Sequence, residues 1–204
     1  MPDILASFRY RAISSRSLPH VSIRRAEAET KGNKMVAHFG WAFYIKATRR
    51  LLSMNDRIEK RIELNAPVSR VWRALTDHHE FGTWFRISLD GPFAPGKVTR
   101  GKLLYPGYEH VTLAMATETI EPETYFAYRW HPHAIDMSAD YSREPMTLVE
   151  FRLTPKDGGG TVLAVTESGF ASIPAHRRDE AFLRNGNGWA IQLENIARYV
   201  THSA

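Results

Sequence analysis

Glu167 is a first candidate for chemistry: alternation along Thr161 to Ser168 puts it on the same side as Leu163 and Val165. A carboxylate entering an apolar space there would be an anchor or an acid with a raised pKa. The other reading is a strand end in water. His131, His133 and Asp136 make a metal set on paper, and so do His78, His79 and Glu80. The first set is interrupted by Pro132 and shares no fixed face, while adjacent His78 and His79 on a helix point in different directions, so both read as solvent-exposed residues. The chain has no Cys, which removes thiolate nucleophiles, disulfides and Cys-ligated metals together. Gly158-Gly159-Gly160 leads into a strand rather than a helix, so it is not a phosphate loop, and no Ser elbow with flanking glycines occurs. No catalytic residue, metal or cofactor is nominated on these grounds.

The elements that must position such groups follow from period. Arg57 to Leu64 sets Ile58, Ile62 and Leu64 on one face, opposite charges of both signs, which is a half-buried strand. Asn65-Ala66-Pro67 breaks it, and Pro67 suits the first turn of a helix whose buried stripe is Val68, Val71, Trp72 and Leu75. Thr76 to Phe85 reads as a second short helix that ends by turning Trp84 and Phe85 inward. Five strand-length segments then follow: Val98 to Tyr105, Val111 to Ile120, Tyr125 to Trp130, Thr147 to Thr154 and Thr161 to Ser168. Short turns such as Pro106-Gly107 and Glu121-Pro122-Glu123 imply antiparallel neighbours. The longer link from His131 to Pro145 reads as a flap or a surface loop. From about Ala175 to His202, Phe182, Trp189, Leu193, Ile196 and Val200 mark one face of a long helix. Gly186 and Gly188 weaken that helix by roughly 1 kcal/mol each, so a bend, a close approach of its backbone to the sheet or to a ligand, or a break before Trp189 is expected. The order calls for an α+β fold, with the helix laid across a curved antiparallel sheet of about six strands.

At 204 residues, 43% hydrophobic and 24% charged, the chain is ordinary globular material, long enough for one domain and a tail. The net charge of +5 is local. Residues 1–55 hold ten Lys or Arg against three acids, leaving 17 of the 27 basic and 19 of the 22 acidic residues for the rest. The domain is nearly neutral, without a basic groove interleaved with aromatics, so nucleic acid is not an expected partner. Residues 1–53 read as a poorly ordered basic extension, and 54–204 as the domain. Met54 directly precedes the first strand, which fits an over-extended gene start; a short basic amphipathic helix from Trp41 to Leu52 is the alternative. The uncharged stretch from Met35 to Ile45 is far shorter than the roughly 18 to 20 residues that span a bilayer. Asp3, Glu27 and Glu29 weaken a transit-peptide reading. A cysteine-free chain fits a reducing compartment, so a cytoplasmic location is expected.

Ala66-Pro67, Val71-Trp72, Leu75-Thr76-Asp77 and Trp84-Phe85, with Thr166-Glu167-Ser168-Gly169-Phe170 and Gly188-Trp189 near the end, together resemble the START-like (SRPBCC) superfamily. Within it they resemble the branch similar to the C-terminal domain of the activator of Hsp90 ATPase. The resemblance covers about Met54 to His202. It implies a helix-grip fold of the START and Bet v 1 kind, whose bent sheet wraps the C-terminal helix around an apolar cavity. It also implies a hydrophobic small-molecule partner: a lipid, sterol or polyketide-like compound. Residues expected to line such a cavity are Trp84, Phe85, Tyr105, Tyr128, Trp130, Phe170, Trp189 and Leu193, with Glu167 as its polar group; the same rings could instead fill the space. Two other roles come with the resemblance. One is a stress-related interaction module that activates a chaperone ATPase, with a chaperone or a second copy as partner. The other is a cyclase or hydratase using pocket acids such as Glu167.

Overall fold

The computed structural model describes residues 56–202; the expected extension of residues 1–53 lies outside them. Seven strands form one antiparallel sheet: β1 (Arg57–Leu64), β2 (Ile87–Leu89), β3 (Val98–Leu103), β4 (Thr112–Glu121), β5 (Tyr125–Trp130), β6 (Thr147–Lys156) and β7 (Gly160–Ser168). Helices α1 (Val68–Thr76) and α2 (His78–Phe85) lie between β1 and β2, and α3 (Ala175–His202) closes the domain. The spatial order is β1-β7-β6-β5-β4-β3-β2, so the first strand of the chain pairs with the last. The strand absent from the sequence reading is β2: three residues are too few to display alternation.

Each element answers to its residues. In β1, Ile58 and Leu64 are buried while Arg57, Glu59, Lys60 and Arg61 face water on what is an edge of the sheet. Charges along an edge discourage pairing with another chain. Pro67 lies one place before the helix rather than within its first turn: at ψ 156° its carbonyl accepts from Arg70 N at 3.0 Å and Val71 N at 3.2 Å. Asp77 both ends α1 and opens α2, its carboxylate accepting from His79 N and Glu80 N at 2.9 Å. Those bonds to the anion hold its carboxyl below the ordinary value. After Phe85 the chain turns through Arg86, in the left-handed region at φ 59°, into β2.

Helix α3 is continuous through both glycines. A Cβ on Gly188 would meet nothing within 4 Å, and one on Gly186 would touch Ile58 Cδ1 at an ordinary 3.9 Å. Neither the break nor a close approach to the sheet is present. The helix is held instead by its buried stripe of Trp189, Leu193, Ile196 and Val200, each at most 6% exposed. Full burial of such side chains is worth about 1.5–3 kcal/mol each, enough to outweigh two weak positions.

Candidate functional site

Glu167 is fully buried, which settles its two sequence readings in favour of the interior. On the inner face of the sheet it lies beside Val149 of β6 and Ile58 of β1, while Trp130 and Thr147 pair across β5 and β6. This register brings two donors to one carboxylate, and α3, packed over the sheet, adds two more. Its Oε1 accepts from Trp130 Nε1 at 2.8 Å, Thr147 Oγ1 at 2.6 Å and Asn185 Nδ2 at 2.9 Å; its Oε2 accepts from Trp189 Nε1 at 2.7 Å and Asn185 Nδ2 at 3.0 Å. Burial pushes its pKa above the usual carboxylate value, and the four hydrogen bonds pull back against that rise. A carboxylate offers about four lone-pair sites, and here they are taken. Glu167 therefore ties α3 to strands β5, β6 and β7.

Around it the aromatic residues touch one another. Phe85 meets Trp130 and Trp189 at 6.3 Å between centroids, Trp130 meets Trp189 at 5.7 Å, and Phe151 meets Trp189 at 5.7 Å. The chain of contacts continues through Tyr128, Phe126, Phe93 and Phe81. These rings fill space between sheet and helix. Two hydroxyls paired across β4 and β5, Thr117 Oγ1 and Tyr128 Oη, are buried there without a hydrogen-bond partner among the described residues. Burial first, and the Glu167 charge second, raise the Tyr128 phenol well above its ordinary value.

A cavity of about 160 Å³ lies at the rim of the sheet, between Thr112, Leu113 and Ala114 at the start of β4 and the residues that follow β5. Trp130, His131, Ala134, Asp136, Met137, Ala139 and Tyr141 complete its lining. The segment 131–146 forms a strap whose fastening is concentrated on one side chain of α3. Arg177 donates from Nε to Glu144 at 2.7 Å and from a terminal nitrogen to the carbonyl of Pro132 at 3.0 Å, and its guanidinium lies 4.7 Å from the centre of the Tyr141 ring. His131 Nε2 adds a bond to the carbonyl of Glu144 at 3.2 Å.

With this geometry the chain can be compared with known proteins. Residues 65–201 match the family model described as Activator of Hsp90 ATPase homolog 1-like protein. The chain belongs to that family. No curated protein matches. Among solved structures, the protein MLL2253 from Mesorhizobium loti is similar at TM-score 0.58 and 22% identity, over 72% of this chain and 98% of that one. The Aha1 dimer from Colwellia psychrerythraea is similar at TM-score 0.52 and 17% identity, over 71% of this chain and 95% of that one. DynU16, from the dynemicin biosynthetic locus, is similar at TM-score 0.56 and 24% identity, over 72% of this chain and 47% of its own, so the chain spans about half of DynU16. These likenesses support the α+β helix-grip fold expected from the sequence.

Within this Activator of Hsp90 ATPase homolog 1-like domain the residues expected at the site fall into three places. Trp130 lines the cavity. Phe85, Tyr128, Trp189 and Leu193 lie with Glu167 in the packed interior. Trp84, Tyr105 and Phe170 serve elsewhere. The Trp84 indole donates to the carbonyl of Ala74 at 2.7 Å and pins α2 to α1. Half-buried Tyr105 accepts from Gln192 Nε2 at 3.2 Å, and Phe170 packs on Phe182 at 5.2 Å. The cavity's other walls come from the strap, whose aperiodic sequence gave no sign of a lining role, and the Glu167 partners Thr147 and Asn185 carried no signal beyond their polarity. No three of the described His, Asp and Glu side chains are grouped to hold a metal. No helix among the described residues is long and apolar enough to cross a membrane.

Proposed function

We propose that the domain binds a small, largely apolar molecule of about one ring in the cavity floored by Trp130. The observation that carries this reading is that cavity's size and lining. A volume near 160 Å³ is close to the roughly 150 Å³ that accepts benzene in an engineered closed apolar cavity, and well below the roughly 300–1,000 Å³ of pockets for drug-sized ligands, but this one opens to solvent past exposed Met137. A whole sterol or lipid asks for more space than this; one ring of a polyketide-like compound does not. The unpartnered hydroxyls of Thr117 and Tyr128 would suit a polar atom on a ligand that reached deeper between the rings. Trp130 is both wall and reporter, because its indole nitrogen is tied to Glu167. Titration with phenol, toluene and 1-naphthol should shift tryptophan emission and raise the melting temperature, since a ligand held by the native state alone adds stability. Ala139→Phe, which fills the cavity from the strap, should abolish both effects. Silence across the panel, with no carried ligand in native mass spectra, would overturn the reading.

We place no acid–base step on Glu167, whose lone pairs are already engaged by protein donors. The family description supplies a second reading, stimulation of a chaperone ATPase through surface contacts in the cytoplasm. An Hsp90 ATPase assay with the full chain decides it: an unchanged rate removes the reading.

A further inference from the structure

We propose that the cavity on Trp130 selects an apolar ring that carries an acidic group, in its simplest form an aryl carboxylate. This rests on the ligand-binding reading above and adds the charge of the ligand to it. Thr112 and Ala114 belong to the sheet's side of the cavity lining. In the register of β3 with β4, Lys102 stands directly opposite Thr112 and Arg100 directly opposite Ala114. Thr99 and Gly101 turn inward, so both cations share the outer face of the sheet with those two lining residues. Directly opposed side chains start about 4.5–5.5 Å apart, within the reach of a Lys or Arg stem. Ala114 offers only a methyl group, which puts little bulk between Arg100 and the opening.

The charges and donors at this rim point the same way. Neither Arg100 nor Lys102 enters an ion pair among the described residues, whereas Arg129 on β5 is held by Glu118 and Arg177 by Glu144. Asp90, beside Arg100 on the other flank of β3, accepts from the Arg100 main-chain N–H at 2.8 Å and makes no bond to its guanidinium. The Tyr141 hydroxyl accepts from Asp136 N at 3.3 Å, which leaves its own proton to give, and the Thr112 hydroxyl is uncommitted among the described residues. Two cations and two hydroxyl donors therefore stand at or beside the lining, against one carboxylate within it. That carboxylate, Asp136, is exposed, and its Oδ1 already accepts from Ser138 N at 2.9 Å and Ser138 Oγ at 2.7 Å. Asp140 likewise accepts from Ser142 N at 2.9 Å and meets water. A cation would find the guanidinium of Arg177 already over the Tyr141 ring. Because Arg100, Lys102 and Asp136 all face solvent, the preference for an anion is a matter of a few fold rather than of orders of magnitude.

The test compares benzoate with benzamide, its uncharged near-isostere, and with benzylamine, on the full chain. Binding is followed by calorimetry and by the Trp130 indole N–H resonance. Benzoate should bind about three- to tenfold more tightly than benzamide at low ionic strength, with the gap closing as salt is raised. Arg100→Gln combined with Lys102→Gln, at exposed positions where folding is checked by the dispersion of the amide spectrum, should remove the gap and leave benzamide unchanged. Asp136→Asn should widen it. Equal binding of benzoate and benzamide, or benzylamine bound more tightly than benzamide, removes the selection for an acid and leaves the apolar-ligand reading intact. Weakening of benzamide together with benzoate in the double variant removes it too, because Arg100 and Lys102 would then shape the cavity rather than read charge. If benzoate, benzamide, benzylamine and phenol all fail to move Trp130, both fall.

Discussion

Replacing Glu167 with Leu removes the acceptor around which α3, β5, β6 and β7 are joined. Four donors lose their partner, but not equally. Thr147 can rotate its hydroxyl toward another acceptor, and half-buried Asn185 can turn toward water. The indole N–H groups of Trp130 and Trp189, 9% and 2% exposed, have no such escape. A stranded buried donor costs about 1–3 kcal/mol, so two of them cost about 2–6; part is regained because a carboxylate no longer has to be buried. The net expectation is a loss of about 2–4 kcal/mol, or a melting temperature lowered by roughly 5–15 °C for a domain of this size. Urea denaturation followed by tryptophan fluorescence and by circular dichroism measures it. A double variant adding Trp189→Phe removes one stranded donor, so its loss should fall short of the sum of the two single losses by about 1 kcal/mol or more. A Glu167→Leu protein as stable as the parent, or losses that simply add, would refute the view that this carboxylate organises the interior.

The same pair of proteins gives a pH test. Because burial holds the Glu167 pKa above its unfolded value near 4.5, its contribution is fullest below that pH and is lost as pH rises through the folded value. The stability advantage of the parent over Glu167→Leu should therefore shrink from pH 4.5 upward; an advantage that grows would mean that the four donors outweigh burial. Gly188→Ala should stabilise by about 0.5–1 kcal/mol, seen as a higher melting temperature, because the new methyl meets open space in a continuous helix. Gly82→Ala should do the reverse. Its Cβ would lie 2.5 Å from the carbonyl oxygen of Ile87, so α2 must move off β2, at a cost of about 1–3 kcal/mol in the same assay.

Period made most of this fold readable. Six of the seven strands and all three α-helices of the described region were legible, from alternation, a buried stripe, or β-branched and aromatic runs between turn residues, with ends displaced by a residue or two. What sequence could not supply was partnership across distance. Glu167 stood out as a carboxylate in an apolar row, yet its donors come from β5, β6 and α3, and nothing local to Thr147 or Asn185 announces the meeting. The rings were legible as buried but not as mutually touching, because whether aromatic side chains line a space or fill it depends on the spacing of layers. Residues 131–146 have no period to read, and their shape is set by Arg177, more than thirty residues downstream.

That dependence on Arg177 separates two kinds of change. The helix's two donors to Glu167, Asn185 and Trp189, and the strap's main fastening, Arg177, lie on one rod, with Asn185 about 12 Å and Trp189 about 18 Å along it from Arg177. Residues between the tethers at Pro132 and Glu144 can lengthen, shorten or exchange without disturbing the sheet. A lineage could thus retailor the mouth of the cavity, and with it the molecule admitted, while inheriting the scaffold whole.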